Sequence, residues 1–255
     1  MLGAPAPAFA QQGVPPADAD NPLSALISGS AFAPLKIRAM QDDDFDNPGF
    51  PSVEQGEALW RAKDGAERKA CVECHAQPQS MRTAGASHPK FSPALNRVVT
   101  LEQQINACRD DKMKAAPWPA ESAELIAMTA YVRHEARGAP VSVAIDGPAR
   151  PVFERGRGAY TAKIGQFALS CADCHNASFG KRYDGETLSQ GHSNGFPSFS
   201  VGAKKIGSLH ERFRACNSLV RAEPLEHGSE EYVALELYLA WRGKGLPVET
   251  PAVRP

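Results

Sequence analysis

Cys71-Val-Glu-Cys74-His75 returns one hundred residues later as Cys171-Ala-Asp-Cys174-His175, and the chain on either side repeats with it. Upstream, Pro51, Glu54, Gly56, Ala62 and Lys63 reappear as Pro151, Glu154, Gly156, Ala162 and Lys163, while Trp60 becomes Tyr160. Downstream the spacing lengthens to 108: Pro89, Phe91, Ser92, Leu101, Ala107 and Cys108 match Pro197, Phe199, Ser200, Leu209, Ala215 and Cys216. At the end it is 107, where Tyr131, Gly138, Pro140 and Val141 match Tyr238, Gly245, Pro247 and Val248. A period near one hundred residues signals two domains, not a solenoid. The reading is an internal duplication, with residues 51–145 and 146–255 as tandem domains and 11–50 as an N-terminal extension. Asp146-Gly147-Pro148 marks the joint.

Composition limits the function classes. The 255 residues carry 28 Lys+Arg against 29 Asp+Glu, a formal charge of −1, so nothing overall favours nucleic acid or an anionic membrane surface. With 42% apolar and 22% charged residues the chain is globular in type. No run approaches a membrane span. Ala8-Phe9-Ala10 has the small-x-small form of a signal-peptidase site, and residues 1–10 read as the residual tail of an export signal. Aromatics are 7%, thin for a core of this size.

The expected fold is mainly α. Glu54–Lys63 and Glu154–Lys163 read as helices before each cysteine motif. Thr100-Leu-Glu-Gln103 and Ser208-Leu-His-Glu211 have capping-box form. Later helices are expected over Ala123–Arg137 and Glu230–Arg242, with Gly138 and Gly243 as stops. No alternating strand pattern stands out.

Cys-x-x-Cys-His is the attachment signature of c-type haem. Cys71 and Cys74, and Cys171 and Cys174, would form thioethers, and His75 and His175 would bind iron. Zinc would need four closed ligands, and a thioredoxin dithiol a βαβ setting. Two matches in a duplicated helical unit favour two covalent haems, each an apolar body that compensates for scarce aromatics. Haem attachment in turn points to export, hence a periplasmic location.

For the sixth ligand, all five methionines precede residue 129, so the second unit has none of its own. His192, His210 and His227 have no repeat counterparts, whereas Cys216 answers Cys108. Each of these cysteines follows two apolar residues at i−7 and i−3 (Leu101 and Ile105, Leu209 and Phe213), on the stripe facing the core. Axial ligation by Cys108 and Cys216 is the expectation. A disulfide between them, or inert buried thiols, are the rivals. The two helices then diverge. Gln104 becomes Arg212, Asn106 becomes Arg214, and the net charge of residues 101–112 is −1 against +1 for 209–220. Arg212, one turn before Cys216, could lower the thiol pKa and hold an oxyanion; contact with haem or solvent is the bland alternative. Cys216 and Arg212 are therefore the candidate catalytic pair.

These residues resemble the dihaem SoxA subunits of the SoxAX cytochromes over nearly the whole chain. The likeness includes Arg38-Ala-Met-Gln-Asp-Asp-Asp-Phe45, Asn47-Pro48-Gly49, Gly56-Glu-Ala-Leu-Trp60, both haem motifs and Arg212-x-Arg214-x-Cys216. The resemblance implies an L-cysteine S-thiosulfotransferase that couples thiosulfate oxidatively to a cysteine of the SoxYZ carrier protein. It further implies a SoxX-type monohaem cytochrome partner and a persulfide-type modification of Cys216. A dihaem electron-transfer cytochrome and a tetrathionate-forming thiosulfate dehydrogenase are the alternatives.

Overall fold

Two helix pairs organise the molecule, and a glycine makes each crossing. The computed structural model describes residues 13–183 and 185–255; the expected signal-peptide tail, residues 1–10, lies outside them. Helices α1 (Leu35–Asp42), α2 (Phe50–Arg61), α6 (Ala123–His134), α7 (Arg150–Thr161) and α10 (Glu230–Arg242) carry most of the packing. Proline in the first turn starts α2 and α7, where no amide hydrogen is required. Ser122 and Ser229 cap α6 and α10 by accepting from the amides of Leu125 and Tyr232. Val53, Gly56 and Trp60 face inward from α2, as Phe153, Gly156 and Tyr160 do from α7. A Cβ on Gly56 would lie 2.2 Å from the Ala127 carbonyl oxygen, and one on Gly156 2.0 Å from that of Ala234. Only glycine permits these backbones to touch, which explains why both survive at the repeated position.

The same order of elements runs through both halves. After the first helix come the one-turn helices α3 (Cys71–Cys74) and α8 (Cys171–His175), carrying the cysteine motifs. Each is pinned by a lysine and an acid: Lys63 pairs with Glu73 at 3.0 Å and Lys163 with Asp173 at 2.5 Å. Asp173 and Ser170 complete a capping box around α8. α4 (Arg82–Ser87) is confined to the first half. The cysteine helices α5 (Leu101–Cys108) and α9 (Leu209–Leu219) follow, and a π-turn, Arg109–Met113, ends the first.

Three expectations are corrected. Short strands are present: β1 (Lys90–Ser92) with β2 (Arg97–Val99), β3 (Arg182–Tyr183) with β4 (Glu186–Thr187), and β5 (Ser198–Ser200) between β6 (Lys205–Gly207) and β7 (Ala252–Arg254). At two or three residues they are too brief to show alternation. The capping box closes fully at Thr100, but at Ser208 only half of it forms. Lys205 draws Glu211 away at 2.7 Å, and the Ser208 amide donates to Glu121 instead, at 3.3 Å. The helices also begin earlier or end sooner than periodicity suggested: α2 and α7 start four residues ahead, and α6 stops at His134.

The largest apolar cluster is shared by both halves, joining Val98, Ala136 and Val141 to Phe153, Tyr160, Leu237 and Trp241. A second cluster around Trp60, Met128 and Tyr131 belongs to the first half. The segment before α2 lies against the second half: the Ser28 hydroxyl donates to Glu249, and Gln41 accepts from Arg254 at 2.6 Å. No helix among the described residues is long and apolar enough to cross a membrane.

Candidate functional site

Cys171 and Cys174, in the helical turn at Cys171–His175, fall within electrostatic reach of Cys216 on α9. The first half brings Cys71, Cys74 and Cys108 together in the same manner. All six cysteines are free thiols, so the disulfide rival for Cys108 and Cys216 is not formed. Burial pushes Cys71 and Cys171 up to about 11, so each first cysteine of the motif is uncharged at neutral pH.

The geometry around His175 also suits a metal bound on one face. Its Nδ1–H donates to the Ser189 carbonyl at 2.8 Å; a carbonyl only accepts, so the tautomer leaves the Nε2 lone pair for iron. Burial holds the ring neutral by pushing its pKa down. Gly191 closes this cradle: with φ +72° and a virtual Cβ 2.8 Å from His175 Cγ, no other residue fits. His75 makes no such bond among the described residues and lies instead beside Trp60, ring centroids 5.7 Å apart. Trp60 Nε1 is buried without a partner, a donor available to a group with acidic edges such as a haem propionate. The residues present therefore fit c-type haem at both motifs.

The far sides of the two centres differ. Gln104 Nε2 reaches Cys108 Sγ at 3.5 Å and caps it. Arg212, the counterpart of Gln104, makes no side-chain hydrogen bond or ion pair among the described residues, yet its charge is felt at both Cys216 and His175. Burial pushes the Cys216 thiol up while Arg212 pulls it down. Arg214, the competing arginine, is committed to the Leu225 carbonyl, in the place where Asn106 bridges to Trp118. Of the two, Arg212 is the one available to an anion.

The three rival histidines are engaged elsewhere. His192 Nε2 meets Gln190 Oε1 at 2.9 Å, His210 pairs with Glu236 at 3.1 Å, and His227 lies 3.3 Å from Glu211. Sequence reasoning missed Ser189 and Gly191, which hold His175, and the cover that Gln104 gives Cys108. Gln104 was visible at the aligned position. A backbone carbonyl such as Ser189's has no sequence signal, because any residue supplies one.

Comparison with known proteins agrees with this arrangement. Residues 55–141 match the family described as SoxA/TsdA, cytochrome c domain. The L-cysteine S-thiosulfotransferase subunit SoxA of Rhodovulum sulfidophilum is 42% identical over 240 residues, covering 94% of this chain and 84% of that protein. The protein of the same name from Pseudaminobacter salicylatoxidans is 39% identical over 236 residues, 92% and 82% of the two chains. The crystal structure of SoxXA from P. pantotrophus superposes with a TM-score of 0.91 at 35% identity, over 96% of this chain and 92% of that one.

Proposed function

The chain belongs to the SoxA family, and from that premise we propose that it is the cytochrome subunit of an L-cysteine S-thiosulfotransferase. It conjugates thiosulfate oxidatively to a cysteine of a SoxYZ-type carrier protein. The observation that carries this reading is the pairing of Cys216 with an uncommitted Arg212 one turn away, where the first half has a capped Cys108. We assign one c-type haem to Cys71, Cys74 and His75 and another to Cys171, Cys174 and His175. Cys108 and Cys216 are the respective axial ligands. The repeated order of elements supports an origin by duplication, with domains at 51–145 and 146–255 behind the 11–50 extension. A SoxX-type cytochrome is the partner, as the SoxXA neighbour suggests, and the periplasm is the compartment that suits covalent haem.

The chemistry follows from charge and balance. Arg212 holds the thiosulfate dianion by paired, charge-assisted hydrogen bonds. Cys216, as thiolate or persulfide, forms a sulfur–sulfur bond to the sulfane atom, giving a thiosulfonate (–S–SO3−) on the Cys216 sulfur and releasing two electrons. Haem, when bound, supplies the route by which those electrons leave one at a time. The carrier thiolate then attacks the same sulfane atom, takes the –S–SO3− group and frees the Cys216 sulfur. Positive charge beside Cys216 favours the thiolate needed at both ends of this cycle.

The decisive experiment is Cys216→Ala with both haems still attached, assayed for thiosulfate-dependent loading of the carrier thiol. Loss of the carrier-bound S-thiosulfonate is expected. Undiminished loading would end the assignment, and free tetrathionate as the product of the unaltered enzyme would move it to thiosulfate dehydrogenation.

A further inference from the structure

Arg242 is fully buried near the base of α10, on the His175 side of the second centre. Its guanidinium lies over the Tyr160 ring at 4.5 Å. One nitrogen donates to the Gln190 carbonyl at 2.9 Å and another to Asn176 Oδ1 at 2.6 Å, while Nε has no partner. Tyr160 donates its hydroxyl to the same Asn176 oxygen at 3.0 Å. Every acceptor is neutral: no carboxylate among the described residues pairs with this cation. A buried charge without a counter-ion is expensive, of order several kcal/mol, and persists where it does something.

The repeat makes the arrangement diagnostic. At the corresponding places the first half has Trp60 for Tyr160, Ala76 for Asn176 and Glu135 for Arg242. Three changes meet at one point in the second half, building a cradle for a cation where the first half carries a carboxylate. Gln190, clamped by Arg242, follows Ser189, whose carbonyl orients His175. The guanidinium is thus tied to the proximal ligand mechanically, and its field reaches His175 and Cys171.

We infer that Arg242 is a positioning and potential-setting residue for the second centre: its buried charge raises the reduction potential of the iron held by His175. The inference rests on the reading that haem is attached at Cys171 and Cys174. A thiolate ligand favours the ferric state. A fixed cation on the opposite side opposes it, because the ferric centre carries one more positive charge than the ferrous. Arg242 therefore offsets Cys216, keeping a thiolate-bound centre able to accept electrons from sulfur.

The test uses the full chain with its cytochrome partner, first weighing the peptide holding residues 171–175. A peptide without haem mass overturns the underlying reading. With haem present, optical redox titration of Arg242→Gln should lower the second-centre ferrous-to-ferric ratio roughly tenfold at fixed ambient potential, leaving the first centre alone. Arg242→Lys, which keeps charge but not the fork, should retain the wild-type potential; a merely structural arginine would make Lys behave like Gln. Asn176→Asp keeps the guanidinium and the fold and cancels the charge locally, so it should shift the potential downward as Gln does. A loaded Asn176→Asp protein with an unmoved second-centre potential overturns the inference.

Discussion

Gln104 covers Cys108 from one helical turn away, its Nε2 3.5 Å from the sulfur, and the residue in that place beside Cys216 is Arg212. The same backbone geometry thus serves two purposes. An amide covers the first sulfur, while the second has an uncommitted guanidinium beside it, the one proposed to hold thiosulfate.

Replacing Arg212 with Gln should convert the second centre to the manner of the first. A hydrogen bond to a charged group is worth about 1.5–3 kcal/mol, so thiosulfate KM should rise by roughly one to two orders of magnitude. Steady-state kinetics against thiosulfate, with haem content held equal, measure this. Unaltered KM would remove Arg212 from anion binding and leave it a surface charge.

The glycines of α7 separate packing from propensity. Gly156 meets the Ala234 carbonyl, and Gly156→Ala would place Cβ 2.0 Å from that oxygen. The helices must part, at a cost of about 3 kcal/mol or more. Gly158, two residues on, has open space around its missing Cβ. Gly158→Ala should instead stabilise by roughly 0.5–1 kcal/mol. Thermal unfolding of the two variants should move in opposite directions.

What the sequence made legible follows from the range of each interaction. The repeat exposed the matched glycines and lysines and the cysteine stripes, because each depends on spacing along one or two helices. Gly56 and Gly156 were visible as matched residues before their carbonyl contacts were known. Ser189, Gly191 and the Arg242 cradle were not, because they join loops to helices across 14 to 66 positions. The half-formed capping box at Ser208 failed for a similar reason: Glu121, from the other half of the chain, takes the amide that Glu211 would have held. Local rules omit partners that folding brings from afar.

A buried polar group between the halves gives the fold a pH dependence. Glu102 and Glu236 line a small cavity of about 20 Å³ with His88 and Arg133, and His210 lies 3.1 Å from Glu236. Burial, reinforced by Glu236, raises the Glu102 pKa. Burial pulls His210 down, but its bond to Glu236 together with the charges of Glu236, Glu102 and Glu121 raises it on balance. Both folded-state values lie above the unfolded ones. Their stabilisation is complete below the unfolded values, near 4.3 for Glu and 6.5 for His, and is lost as pH rises through the folded ones. Stability should therefore decline on the alkaline side. Glu102→Gln should be more stable than the unmutated chain at pH 8 and gain nothing at pH 4. Denaturant unfolding at both values checks it, and equal gains at both would show that desolvation of the charge is not the cause.

Gly191 provides the sharpest test of how His175 is held. Its φ of +72° already disfavours a side chain, and an added Cβ would sit 3.0 Å from His175 Nδ1, the atom that donates to Ser189. Gly191→Ala must either push the imidazole off that carbonyl or shift the loop clamped by Arg242, and strain of this kind costs about 1–3 kcal/mol. If the imidazole yields, the ring turns away from Ser189 and loses the hydrogen bond that would set its basicity toward a bound iron. Electron paramagnetic resonance should then show a displaced second-centre signal beside an unchanged first-centre one, together with a lower melting temperature. A lower melting temperature with both signals in place would mean that the loop yields, and that Ser189 follows His175 without steering it.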